Sequence, residues 1–314
     1  MQTSFQNSAS CGQKPFVFRD DKPIPDIRYD NVFKAVFTRD NAESKGALSS
    51  LISALIEKPV SVETILANEP PVDNTGQRNI RFDISCKTQS GELVNIEMSF
   101  YPKAGELERF EYYEAKLFSG QDIKGADKSY SDLKKAYQIA ILAKEIIFPD
   151  DALTRYFEYY DPVNKVSLNG KTRIIIMELA KAAKIIEKSA AEMSTAEAWA
   201  AFFEYLTDRK KSEKITEIVN HEGGIAMAAN ALYDFSENEK EYFRQMSELK
   251  YELDHQSDMV NAERQGIQQG LQRGIQQGRL EADLEYARKM KEDNLPVSQI
   301  SKYTGLSAQQ IQDI

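Results

Sequence analysis

Two cysteines, two histidines and one tryptophan are all that 314 residues supply of those types, and the first two shortages each remove a class of function. Cys11 and Cys86 lie far apart with no metal-ligand spacing, so neither a disulfide framework nor a zinc site is indicated, and a reducing, cytoplasmic setting is expected. His221 and His255 are too few for a histidine metal centre or a choice of histidine bases. A net charge of −9 argues against a chain that coats nucleic acid through bulk electrostatics, because that attraction depends on lysine and arginine neutralising phosphates. Any contact with nucleic acid must therefore be local. No apolar run approaches the roughly 18 residues of a membrane span, and the opening segment has no signal-like apolar core, so a soluble protein without membrane contact is expected. If chemistry is done here, carboxylates are the working groups that remain.

What is present is globular: 41% of residues are hydrophobic and 28% charged, enough for one substantial core and a second, smaller unit. Residues 1–25 read as a polar, loosely ordered leader. "IPDIRYDNVFKAVF" opens the first compact region, and "NAESKGALSSLISALIEK" follows with Leu48, Leu51, Ile52 and Leu55 at helical spacing and an N-cap near Asn41. "VSVETILAN", "NIRFDISCKT" and "GELVNIEMSFY" are three strand-like runs. "GELERFEYYEAKLFSGQ" returns to helical periodicity, and "KKAYQIAILAKEIIF" reads as a buried final strand. "RYFEYYDPV" and "TRIIIMEL" bracket the turn signal "LNGK" and are expected to extend the sheet. The fold class is α/β: a domain over residues 26–185 made of a helix-strand-strand-strand-helix-strand core at about 41–148 with an added β-hairpin, then a helical region 186–260 with Trp199 in its core, then a tail 261–314.

Gln89, Ser90 and Gly91 form a natural hairpin loop with glycine where a left-handed conformation is needed. Pairing outward from that loop sets Asp83 directly opposite Glu97. One face then collects Arg81, Asp83, Ser85 and Lys87 with Leu93, Asn95, Glu97 and Ser99, and the other collects Phe82, Ile84 and Cys86 with Val94, Ile96, Met98 and Phe100. An apolar face on a core and a polar face toward solvent or a cleft is the ordinary fate of such a pair. Yet two carboxylates facing each other repel, and a bound cation relieves that. Hard divalent ions favour such oxygen ligands, with a substrate phosphate completing the shell. Arg109, Tyr113 and Lys116 share one face of the following helix; they either hold phosphate oxygens or pair at the surface with Glu106, Glu108 or Glu111.

Together "YDNVFKAVF", "RFDISCKTQSGELVNIEMSF", "ERFEYYEAKLFSG", "YSDLKKAYQIAIL", "IIIMELAK" and a glycine-ladder tail resemble the Rpn group of recombination-promoting nucleases and transposases, within the PD-(D/E)XK nuclease superfamily. The resemblance runs from about Asp26 to the C-terminus. It implies a restriction-endonuclease-like core, DNA as substrate and Mg²⁺, or Mn²⁺ in its place, bound by Asp83 and by Glu97 as the first residue of an E-x-Q/K motif. It also implies a further acid on the preceding helix, best matched by Glu43, and places Gln138 on the last core strand. The chain departs from the group at Ser99, where glutamine or lysine is usual. A hydroxyl brings no positive charge, and losing one stabiliser of developing charge slows such reactions by about 10²- to 10³-fold. The hairpin register sets Arg81 opposite Ser99, so its guanidinium is a candidate replacement, or simply balances the acids.

The tail repeats glycine every fourth residue, at Gly266, Gly270, Gly274 and Gly278. Each glycine in a helix costs roughly 1 kcal/mol relative to alanine, so the repeat points either to a helix that another helix approaches closely, with Ile267, Leu271 and Ile275 beside it, or to a flexible linker. Helix packing here points to self-association, giving a homo-oligomer, or to a partner helix. Beyond it, Gly305 at a turn and a capping box from Ser307 to Gln310 resemble a small helix-turn-helix whose last helix carries Gln309, Gln310 and Gln312 but no lysine or arginine. Three functions are consistent with this sequence: a metal-dependent DNA endonuclease, a DNA-binding relative silenced through Ser99, and an oligomerising interaction protein.

Overall fold

The structure is a computed structural model that describes residues 16–18, 24–67, 81–100, 105–123, 128–144 and 146–314. Cys11 and most of the expected leader lie outside the described residues. Within that leader, Phe16 is tied down: its N–H donates to Asn220 Oδ1 at 2.8 Å, Asn220 Nδ2 donates back to its carbonyl at 3.1 Å, and its ring meets Tyr233.

Helix α1 (Asp30–Phe37) forms because Val32, Phe33, Val36 and Phe37 recur at helical spacing, and all four are buried. Helix α2 (Ala42–Ile56) starts at Asn41, whose side chain accepts the Ser44 N–H, and buries Leu48, Leu51, Ile52 and Leu55. Strands β1 (Val62–Ile65), β2 (Ile84–Thr88) and β3 (Leu93–Ser99) follow, then helix α3 (Glu106–Ser119) and strand β4 (Ala136–Leu142). After β5 (Thr154–Phe157), a small ribbon of β6 (Tyr160–Asp161) and β7 (Val166–Ser167) precedes β8 (Thr172–Glu178). The six-stranded sheet has the order β1-β2-β3-β4-β8-β5. β1, β2 and β3 pair antiparallel, β3-β4 and β4-β8 pair parallel, and β5 runs antiparallel to β8. The β4 run is thus a central strand, buried at every position, and the two later runs extend the sheet beyond it.

The hairpin pairs Ile84 with Ile96 and Lys87 with Leu93, and Gly91 takes φ 82° at its turn. One sheet face carries Ile84, Cys86, Val94, Ile96, Met98, Ile139 and Ile141 into a large apolar core shared with α1, α2 and the helices α4 (Thr195–Tyr205), α5 (Ser212–His221) and α6 (Gly223–Tyr233). Trp199 lies in that core, fully buried. Residues 186–233 therefore complete the core of the sheet instead of building one of their own.

The opposite, polar face, expected to point toward solvent or a cleft, is covered. It lies beneath α3 and buries Ser85, Asn95, Glu97 and Gln138. Phe82 also departs from its predicted face: it packs with Leu117, Ala136 and Tyr113, on the α3 side. Strand β2 begins only at Ile84, so the period-two alternation does not extend back through Asp83 to Phe82.

The chain divides into two compact units at Ser247 and Glu248. Helix α7 (Glu237–Glu292) contains that boundary and all four ladder glycines, so the repeat is helical and not a linker. In the second unit, helices α8 (Val297–Thr304) and α9 (Ala308–Gln312) bury Ile300, Leu306 and Ile311 with Ala287. Gly305 turns between them at φ 73°, and Ser307 with Gln310 forms a capping box.

Candidate active site

Where the β2-β3 ladder ends, side chains replace backbone pairing. The Asp83 N–H donates to Glu97 Oε1 at 3.0 Å, and the Met98 N–H donates to Asp83 Oδ2 at 3.0 Å. Both carboxylates thus accept main-chain N–H groups at one end of the sheet, which fixes their mutual position more firmly than free rotamers would. Asn95, two residues before Glu97 on the same face, donates through Nδ2 to Glu97 Oε1 at 3.1 Å and to Gln138 Oε1 at 2.6 Å. Gln138 sits beside Asn95 because β3 and β4 pair in parallel at that position. It supports Glu97 through Asn95 and makes no direct bond to the acids. Asn95 Oδ1 has no partner among the described residues.

Glu97 is 2% exposed. Burial, and then the nearby charge of Asp83, push its carboxyl up to about 8, against the N–H of Asp83, Arg109 and Asn95, which favour the charged form. The repulsion expected of two facing acids is thus the second contribution, after burial.

Two cations attend the pair, from different helices. On α3, Arg109 Nη1 lies 3.9 Å from Glu97 Oε2 while its Nη2 donates to Glu106 Oε1 at 2.6 Å, and its guanidinium lies 5.4 Å from the Tyr113 ring. On α1, Lys34 Nζ lies 2.8 Å from Asp83 Oδ1 and 4.0 Å from Asp30 Oδ2. Lys34 and Asp30 were not singled out from the sequence. The available signal was their i, i+4 spacing on α1, beside the buried positions Val32, Phe33, Val36 and Phe37.

The remaining predicted positions fall as follows. Ser99 pairs with Leu142 of β4, and its Oγ donates to Glu106 Oε1 at 2.8 Å. Arg81 is exposed and precedes β2; the ladder stops at Ile84 and Ile96, so the expected pairing of Arg81 with Ser99 does not form. Glu43 is exposed in the first turn of α2, and no group of three His, Cys, Asp or Glu side chains among the described residues converges to hold a metal ion. Helix α1, not α2, brings a charged side chain, Lys34, to Asp83. Tyr113 packs its ring on Phe82 at 5.4 Å, and Lys116 is half-buried farther along α3. Of the three residues expected on phosphate, Arg109 is engaged with Glu106 and Glu97.

A profile of the PD-(D/E)XK nuclease family transposases matches residues 27–262. The chain belongs to that family. No curated protein and no solved structure gives a significant match. The mixed sheet flanked by helices is the restriction-endonuclease-like α/β fold of this family, and Asp83 and Glu97 stand at the end of its central hairpin. The two carboxylates are oxygen ligands of the kind a hard divalent cation takes: Mg²⁺ is ordinarily held by one or two carboxylates, with waters and substrate phosphate as further ligands, and a cation would offset the Asp83 charge that adds to burial in raising Glu97. Among the described residues no helix is long and apolar enough to cross a membrane.

Proposed function

We propose that this chain is a metal-dependent DNA endonuclease of the Rpn type, acting in recombination or transposition. The observation that carries the reading is the locked pairing of Asp83 with Glu97 at the sheet end, in a chain whose family is nuclease-like. Asp83 and Glu97 hold a divalent ion, with Mg²⁺ first and Mn²⁺ second in expectation. When bound, the ion polarises the phosphate and lowers the pKa of water at the site. In the hydrolysis, the oxygen of a water forms a bond to phosphorus as one phosphorus-oxygen ester bond breaks. The water loses a proton to solvent, and the departing sugar oxygen gains one. Asn95 and Gln138 keep the Glu97 carboxylate aimed, Arg109 offsets its charge, and α3 excludes water from the buried half of the pair.

A second reading, a DNA-binding relative with weakened chemistry, is favoured by one feature: Ser99 brings no charge and its hydroxyl is engaged with Glu106. Self-association through α7 is a further part of the proposal, supported by Ile267, Leu271 and Ile275 standing 62–64% exposed beside the glycine repeat.

Nicking of supercoiled plasmid with Mg²⁺, Mn²⁺ or EDTA tests the main reading. Metal-dependent nicking by the wild-type chain, lost in Asp83→Ala and Glu97→Ala, is expected. Nicking that survives both substitutions removes the assignment.

A further inference from the structure

Ser99 leaves the acid pair without the amide or ammonium donors that glutamine or lysine brings at that motif position, and three cations elsewhere in the chain are candidates to supply a donor and a charge in its place. Arg81 is off the ladder. Arg109 is committed to Glu106 and Glu97, and its Nε has no hydrogen-bond partner among the described residues. Glu97, the acid it attends, has a side chain only 3% exposed, whereas the Asp83 side chain is 13% exposed. Asp83 is the more accessible of the two acids from solvent, and the cation standing on it at 2.8 Å is Lys34.

We propose that Lys34 supplies the charge that Ser99 lacks, its ammonium facing the phosphate beside Asp83 during hydrolysis. This rests on the nuclease reading above. The Lys34 backbone is held in place because Val32, Phe33, Val36 and Phe37 anchor α1 in the core, while its four-carbon stem lets the ammonium move as a compact point charge. In the metal-free protein the ammonium neutralises Asp83. With a divalent ion on the acids that neutralisation is redundant, and the ammonium is released toward the non-bridging oxygens of the phosphate, where negative charge gathers as the water attacks. Lys34 therefore competes with metal for Asp83 and also assists the reaction. These two effects have opposite signs when the residue is removed.

The test uses the full chain with Mn²⁺, reading Mn²⁺ affinity from the electron paramagnetic resonance of the free ion and rate from plasmid nicking. Lys34→Met is expected to bind Mn²⁺ more tightly than wild type, yet at saturating Mn²⁺ to nick about 10²- to 10³-fold more slowly. Lys34→Arg should recover part of the rate, and Ser99→Lys added to Lys34→Met should restore it by placing a cation at the motif position. Unchanged nicking in Lys34→Met overturns the inference. So does joint loss of Mn²⁺ binding and nicking without rescue by Ser99→Lys, which marks Lys34 as a packing residue. If wild type is inactive while Ser99→Lys cleaves, Lys34 does not stand in for the motif residue, but the nuclease reading survives. If both bind Mn²⁺ and neither cleaves, the nuclease reading falls, and this inference with it.

Discussion

The sheet and the long helix break the usual partition of polar and apolar side chains in opposite directions. Beneath α3 the sheet buries Asn95 and Gln138 completely and leaves Glu97 2% exposed. On α7, Ile267, Leu271 and Ile275 are 62–64% exposed, and a Cβ added at any of the four ladder glycines would meet nothing within 4 Å. Burying a polar group is unfavourable unless it is hydrogen-bonded, and exposing a large apolar stripe is unusual in a chain that acts alone. Departures from local rules concentrate where function is served. The sheet's departure is largely partnered within the chain: Glu97 accepts from Asp83 and Asn95, and Gln138 accepts from Asn95, with Asn95 Oδ1 alone of that trio's side-chain oxygens unpartnered among the described residues. That of the helix leaves its apolar side chains in contact with solvent, and this is why it is read as awaiting a second helix.

The largest effect that tests this contrast is on chemistry. Asp83→Ala or Glu97→Ala should reduce metal-dependent nicking by about 10³-fold or more, given the several kcal/mol that a metal supplies at a transition state; gel assays of plasmid conversion measure it.

Next in size is the cost of leaving one buried group without its partner. Asn95→Leu removes the donor from both Glu97 and Gln138 and should destabilise the chain by about 1–3 kcal/mol. Joining it with Gln138→Leu should return part of that loss, because an apolar pair leaves fewer stranded groups. Urea denaturation of the three variants gives the comparison, and full additivity of the two single effects would show that the Asn95-Gln138 bond does not couple them.

On α7 the signs separate two outcomes. If the glycines face solvent throughout, Gly270→Ala and Gly274→Ala should each stabilise the helix by about 1 kcal/mol and leave association unchanged. If a second helix packs on them, the same substitutions should weaken the assembly seen in sedimentation, as should Leu271→Glu.

The smallest effect is on pH dependence. Burial pushes the Glu114 carboxyl on α3 up to about 7, and its Oε1 has no partner among the described residues. A carboxyl raised in the folded state binds a proton more tightly there than in the unfolded chain. Its stabilising contribution is therefore complete below about pH 4.5 and is lost as pH rises through about 7. Glu114→Gln should flatten that part of the melting temperature profile and leave the variant the more stable protein above pH 7. An identical profile for both proteins would contradict the assignment of the buried acid.

Much of this was legible in the sequence. Alternation and the Gln89–Gly91 turn defined the register that sets Asp83 by Glu97, because turn geometry and side-chain period are local properties. The helical stretches, the N-cap at Asn41 and the turn at Gly305 are local in the same sense. The errors fell where a local pattern meets a distant element. Phe82 follows strand alternation in sequence, yet it lies before the strand begins and is captured by α3. Arg81 sits at the correct offset from Ser99, but the ladder ends before reaching it. Glu43, the acid the resemblance matched on the preceding helix, is exposed on α2, and the first helix in the chain, through Lys34, reaches Asp83.

By itself the sequence determined the strands and helices, the hairpin register, the identity of the paired acids and the absence of a charge at Ser99, since each follows from residue type and short-range spacing. Only the tertiary structure decided that α3 covers the polar face, that Arg109 turns toward Glu97 and Glu106, and that Lys34 stands on Asp83 from 49 positions upstream. Those contacts depend on how separate elements pack, and no local periodicity records which distant side chain a buried charge will find.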